Sequence, residues 1–141
     1  MILGHMIRVW LNYCLDPCMP KKLTDIEIYI ITEELSNQIC GIVKYWNYFE
    51  KETLGKQLVR AADSISANIA EAFGRYHYKD RQKFGYYARG SFEETKSWLR
   101  KGYQRQLLND SQLETINTYV KQIGPKLNSL INTFKNPQAP K

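Results

Sequence analysis

Apolar residues recur in steps of three and four along four stretches of this chain, and polar or helix-breaking residues separate the stretches. From Thr24, with Glu27 three residues on as in a capping box, Ile28, Ile31, Leu35, Ile39, Ile42, Trp46 and Phe49 fall on one face of a helix. A second helix, from about Thr53 to Arg75, places Leu54, Leu58, Ala61, Ile65, Ile69, Ala72 and Phe73 on its buried side and is predicted to stop at Gly74. The third, from about Lys79 to Leu107, carries Phe84, Tyr87, Ala88, Ser91, Phe92, Thr95, Trp98 and Leu99 at the same spacing. Gly85, Gly90 and Gly102 lower its intrinsic helix propensity, a cost that close helix packing would offset. The fourth begins at Asp110 or Ser111 and runs Leu113, Ile116, Val120, Ile123, Leu127, Leu130 and Phe134, with a kink predicted at Gly124-Pro125.

Short links near residues 50–52, 76–78 and 108–110, and no credible strand pair, predict an all-α protein: an antiparallel up-down-up-down four-helix bundle over residues 23–135. Residues 1–22 contain Pro17 and Pro20 and no sustained period, so they read as an N-terminal extension, either a flexible tail or a stretch upstream of an alternative start at Met19. Residues 136–141 read as a frayed tail.

The bulk composition narrows the class. The 141 residues suit one domain with a real core, and 43% hydrophobic with 24% charged residues is ordinary for a globular protein. No apolar run reaches the roughly 18 residues of a membrane span, and Arg8 and Asn12 interrupt the apolar part of the N-terminal stretch, so neither membrane nor export is expected. Three cysteines without a CxxC fit a reducing compartment, which makes the cytoplasm the expected location.

On a wheel of about 100° per residue, Arg60, Ser64, Asn68, Glu71 and Arg75 form a polar stripe directly beside the apolar arc of the second helix. Two readings stand. The stripe is a solvated face, or it is covered by the third helix or another subunit, with Ser91 and Glu94 as partners; a covered network fixes register and neighbour choice. The surrounding Ala61, Ala62, Ser66, Ala67, Ala70, Ala72 and Gly90 permit close helix approach.

The run Gln57-Leu-Val-Arg-Ala-Ala-Asp-Ser-Ile-Ser-Ala-Asn-Ile-Ala-Glu-Ala-Phe-Gly-Arg75, followed by Ala88-Arg-Gly-Ser-Phe-Glu-Glu94, resembles the 23S rRNA intervening-sequence protein family over about residues 24 to 134. The chain departs at Ala72, where the family usually has Gly. The resemblance implies a bacterial four-helix subunit that assembles into a ring-like homopentamer without established enzymatic activity. It also implies relatives that act as accessory proteins of reverse transcriptases and bind nucleic acid and the polymerase.

The residues themselves offer little catalytic chemistry. A di-metal bundle site needs Glu-x-x-His pairs on two helices, and neither His5 nor His77 supplies one. His5, Cys14 and Cys18 have non-standard metal spacing. Glu71 and Glu94 as paired carboxylates are outweighed by Arg60 and Arg75, which favour structural ion pairs. Phosphate-cradling and nucleophile-elbow motifs are absent, and Cys40 reads as a small core residue. No enzyme activity, metal or cofactor is expected.

Positive charge is concentrated instead. Arg75, Lys79, Arg81, Lys83, Arg89, Lys96, Arg100, Lys101 and Arg105 face only Asp80, Glu93 and Glu94 in the same segment; nine minus three equals the +6 of the whole chain. Tyr76, Tyr78, Tyr86 and Tyr103 interleave with them and are suited to stacking on unpaired bases. Two functions follow: an oligomeric nucleic-acid-binding scaffold that meets RNA, or an adaptor whose partner is a protein such as a polymerase. In the first, Arg75 to Arg105 contacts phosphate, and Arg60, Ser64, Asn68, Glu71, Arg75, Ser91 and Glu94 serve assembly.

Overall fold

The computed structural model describes residues 23–135, which are all-α with four helices and no strand. Helix α1 spans Leu23–Val43. Helix α2 is one continuous run in three parts: a single turn Tyr48–Glu50, a π-helical stretch Lys51–Gly55 and the α-helix Lys56–Gly74. Helix α3 spans Tyr78–Gln104 and α4 spans Asp110–Lys135. The extension, the His5, Cys14 and Cys18 set and the C-terminal tail lie outside the described residues.

The apolar steps become one core. Ile28, Leu35, Ile39, Leu54, Leu58, Ile65, Ile69, Ile116, Ile123 and Leu127 are fully buried, drawn from α1, α2 and α4, and Ala88, Phe92 and Leu99 complete it from α3. At about 25 cal/mol per Å² of apolar surface, each such Leu or Ile contributes about 1.5–3 kcal/mol. Buried Thr32 and Thr95 bond back along their own helices: Thr32 Oγ1 donates to the Ile28 and Tyr29 carbonyls, and Thr95 Oγ1 to the Ser91 carbonyl. Among the described residues no buried side-chain nitrogen or oxygen lacks a partner.

Each helix packs on two others: α1 on α2 and α4, and α3 on α2 and α4. Along α1 and α2, Ser36 Oγ donates to Asp63 while Val43 lies against Gly55. Along α2 and α3, Arg75 sits over the Phe84 ring, Asn68 meets Ser91, and Leu54 lies beside Gly102. Along α3 and α4, Gly85 meets Ile131 and Phe92 lies beside Gly124, while Gly102 meets Leu108 in the link that joins them. In each series one partner's number falls as the other's rises.

The first link differs from the expectation. Helix α1 ends at Val43, residues 44–47 form the turn, and residues 50–52 are helical. Asn47 causes the break: its backbone is extended and its Oδ1 accepts the Glu50 N–H at 2.9 Å, capping a new helix. Trp46 folds back onto the core, so the apolar period survives through the turn, but Phe49 passes to the outside and is 68% exposed. The π stretch then brings Gly55 so close to α1 that a Cβ there would stand 2.7 Å from Val43 Cγ1.

The later boundaries lie within three residues of expectation: α3 runs Tyr78–Gln104 rather than Lys79 to Leu107, which puts the links at 75–77 and 105–109. Helix α2 stops at Gly74, and Arg75 turns into extended backbone. Asn109 and Gln112 cap α4 reciprocally, each side chain accepting from the other's backbone N–H at 2.8 and 3.0 Å. Helix α4 continues through Gly124-Pro125 without a break, and Pro125 is exposed. Of the three α3 glycines, Gly85 and Gly102 sit in close packing, whereas a Cβ on exposed Gly90 would meet nothing within 4 Å. Tyr87, expected inside, is 48% exposed and packs edge-on against Phe84.

Candidate nucleic-acid interface

The basic segment begins at the α2–α3 turn and continues the length of α3. Because Ala88, Phe92, Thr95 and Leu99 hold the inner side of α3, residues on its flanks and far side, about 100° or more away from them, turn toward solvent. Lys79, Lys83, Arg89, Arg100, Lys101 and Arg105 are accordingly exposed, and Arg81 and Lys96 are half-buried.

Several of these cations have local partners. Arg75 pairs with Glu71 and lies 4.6 Å from the Phe84 ring centroid. Arg81 Nε donates to the Arg75 carbonyl at 2.6 Å, which fastens the turn, and its guanidinium lies over Tyr78. Lys96 pairs with Glu93 at 2.7 Å, and Lys101 sits over the Trp98 ring at 4.3 Å. Among the described residues, Lys79, Arg89, Arg100 and Arg105 have no acidic side chain within ion-pair distance. Their charge is directed to solvent.

Aromatic rings accompany the cations. Tyr76 is 87% exposed beside His77, and Tyr78, Tyr86 and Tyr103 are each more than two-fifths exposed. Lys135 from α4 reaches over Tyr86. Tyr103 Oη donates to Asp110 Oδ1 at 3.1 Å; that hydrogen bond, then the carboxylate charge, raises the tyrosine's pKa above its ordinary 10.0.

The polar stripe on α2 divides. Ser64 Oγ donates to the Arg60 carbonyl, and the Asn68 amide donates to the Ser64 carbonyl at 2.8 Å and to Ser91 Oγ at 3.4 Å, so α3 covers the middle of the stripe. Arg60, Glu71 and Arg75 remain exposed. Glu94 accepts from Trp98 Nε1 on its own helix at 3.2 Å, and Glu71 is held by Arg75, so the two carboxylates have separate partners.

Cys40 is a correction: it is exposed, because neighbouring Ile39 takes the core position and Cys40 faces a groove between α1 and α2. The residues around that groove and the first turn, Lys44, Tyr45, Tyr48, Phe49 and Lys51, were absent from the sequence-based site. The available signal was Asn47 followed three residues later by Glu50.

The model of the 23S rRNA-intervening sequence protein family matches residues 24–129. The chain belongs to that family. A solved structure from Bacteroides thetaiotaomicron VPI-5482, a protein of unknown function from the S23 ribosomal protein family, is similar at 27% identity and a TM-score of 0.72. The match covers 78% of this chain and 99% of that one. No curated protein matches significantly. The family match reaches all four helices and includes the whole of α2 and α3, so the basic α3 surface lies inside the matched region. Among the described residues no helix is long and apolar enough to cross a membrane.

Proposed function

We infer that this member of the 23S rRNA-intervening sequence protein family is a non-catalytic, oligomeric scaffold that binds nucleic acid, RNA above all, through α3. The observation carrying the reading is the exposure of Lys79, Arg89, Arg100 and Arg105, without an acidic side chain in ion-pair distance among the described residues, in the Arg75–Arg105 segment whose charge excess equals the chain's +6. Phosphates would occupy these positions, and Tyr76, Tyr78 and Tyr86 would stack on unpaired bases. The order of contacts between helices supports an antiparallel up-down-up-down bundle as the subunit.

Self-association, as the homopentamer the family resemblance implies, would use the exposed ends of the α2 stripe, Arg60, Glu71 and Arg75. A ring would repeat the basic surface and turn weak phosphate contacts into avidity. The work belongs in the cytoplasm. The mass of the purified particle, measured with its absorbance ratio at 260 and 280 nm, tests assembly and nucleic-acid content together. An oligomer carrying nucleic acid is expected; a monomer, or an oligomer free of nucleic acid at physiological salt that co-purifies with a polymerase, would favour the protein-adaptor reading instead.

A further inference from the structure

The groove between the C-terminal half of α1 and α2 shares Arg60 and Ser64 with the edge of the α2 stripe but is otherwise lined by residues that the surfaces above do not use. Its volume is about 530 Å³, within the range of small-ligand clefts, and Cys40, Val43, Val59 and Ala67 give it an apolar floor. Four cations line it, Lys44, Lys51, Lys56 and Arg60, against one carboxylate, Asp63, which already accepts a hydrogen bond from Ser36. Lys56 is shared with Glu52 at 3.8 Å, a solvated pair that holds it weakly. Beside the groove the first turn presents Tyr45 at 81% and Tyr48 at 79% exposure, with Lys44 lying 4.9 Å from the Tyr45 ring centroid.

An apolar floor, an excess of cations and nearby open rings match one chemistry: a flexible polyanion that carries planar rings. We propose that this groove is a second nucleic-acid contact, one that takes a single strand, with phosphates along Lys44, Lys51 and Lys56 and bases against Tyr45 and Tyr48. A duplex would not serve, since its bases are stacked away from the tyrosines. The groove opens on the α1 side of α2, whereas Asn68 and Ser91 mark the α3 side, so one subunit would offer two separate contacts to nucleic acid. The inference extends the nucleic-acid reading of α3 but is tested independently of it.

The probe is an oligothymidylate of about 20 nucleotides, longer than the roughly 4–16 that single-strand-binding folds occupy, carrying 5-bromodeoxyuridine for photocrosslinking. Crosslinked peptides are identified by mass spectrometry in the wild type and in a Lys79→Glu, Arg100→Glu variant. Crosslinks to Tyr45 or Tyr48 are expected in both. Tyr45→Ala, in a fully wet turn, should weaken binding about five-fold, and Lys44→Glu with Lys51→Gln should lower the salt slope by about 1.4, at about 0.7 per lost contact. Crosslinks confined to α3, with these variants binding like the wild type, would overturn the groove contact and leave the α3 reading standing. Crosslinks confined to the first turn would do the reverse. If the groove variants change the particle's mass and no crosslink forms there, the groove is a contact between copies and the proposal is wrong.

Discussion

Asn68 and Ser91 join α2 to α3: the Asn68 amide lies 3.4 Å from Ser91 Oγ while the same nitrogen donates to the Ser64 carbonyl at 2.8 Å. Glu71, one turn along the same stripe, pairs with exposed Arg75. The stripe therefore has a covered middle and open ends, and the two parts should respond differently to substitution.

Asn68→Ala is expected to destabilise the bundle by about 1 kcal/mol, as the loss of a part-buried hydrogen-bonding group does. Glu71→Ala should cost less than about 0.5 kcal/mol, because its ion pair is solvated. Urea denaturation measures both. If the open end serves assembly, Glu71→Ala will lower the particle mass in light scattering while Asn68→Ala leaves it unchanged; equal masses for both variants and the wild type would remove the stripe's assembly role.

The α3 glycines make a second contrast. A Cβ on Gly85 would stand 3.0 Å from Ile131 Cγ1 and 3.5 Å from the Phe134 ring, so Gly85→Ala forces buried neighbours to move. That overpacking, about 1–3 kcal/mol, exceeds the gain of about 0.5–1 kcal/mol from replacing a mid-helix glycine. Gly90→Ala meets nothing and should raise subunit stability by about 0.5–1 kcal/mol. Thermal unfolding of the two variants should shift in opposite directions.

Tyr103 predicts an alkaline effect. Its raised pKa means that the folded state holds the phenolic proton more tightly than the unfolded chain. The resulting stability is fully present below the unfolded value of about 10 and is lost as pH rises through the folded value. Ultraviolet difference titration of wild type against Tyr103→Phe should give a midpoint above 10.0, and Asp110→Asn should bring it down. A midpoint at or below 10.0 would show that the Asp110 contact does not persist in solution.

Much of the bundle was legible because a 3.6-residue period is a repeated signal: Ile28, Leu35, Ile39, Leu58, Ile65, Ile69, Ile116, Ile123 and Leu127 all reach the core as spaced. The first turn was not, since Trp46 stays half-buried on both readings and the break depends on one capping residue, Asn47. Cys40 was misread because a wheel gives an arc and not its edge, and Ile39 beside it already fills the core. The stripe was visible as an arc, but which part α3 covers is a matter of helix position that only tertiary packing sets. The basic segment was legible by counting; its division into engaged cations such as Arg81 and Lys96 and outward ones such as Arg89 and Arg100 was not.

The central claim is that α3 binds nucleic acid through its outward cations. It is tested most directly by fluorescence anisotropy of a labelled RNA against salt, with wild type and a Lys79→Glu, Arg89→Glu, Arg100→Glu, Arg105→Glu variant. The variant is expected to keep its helical circular dichroism, to lose at least about ten-fold in affinity and to show a shallower salt dependence, by about 0.7 per single-strand phosphate contact removed. Unchanged affinity and an unchanged salt slope in a folded variant would contradict it.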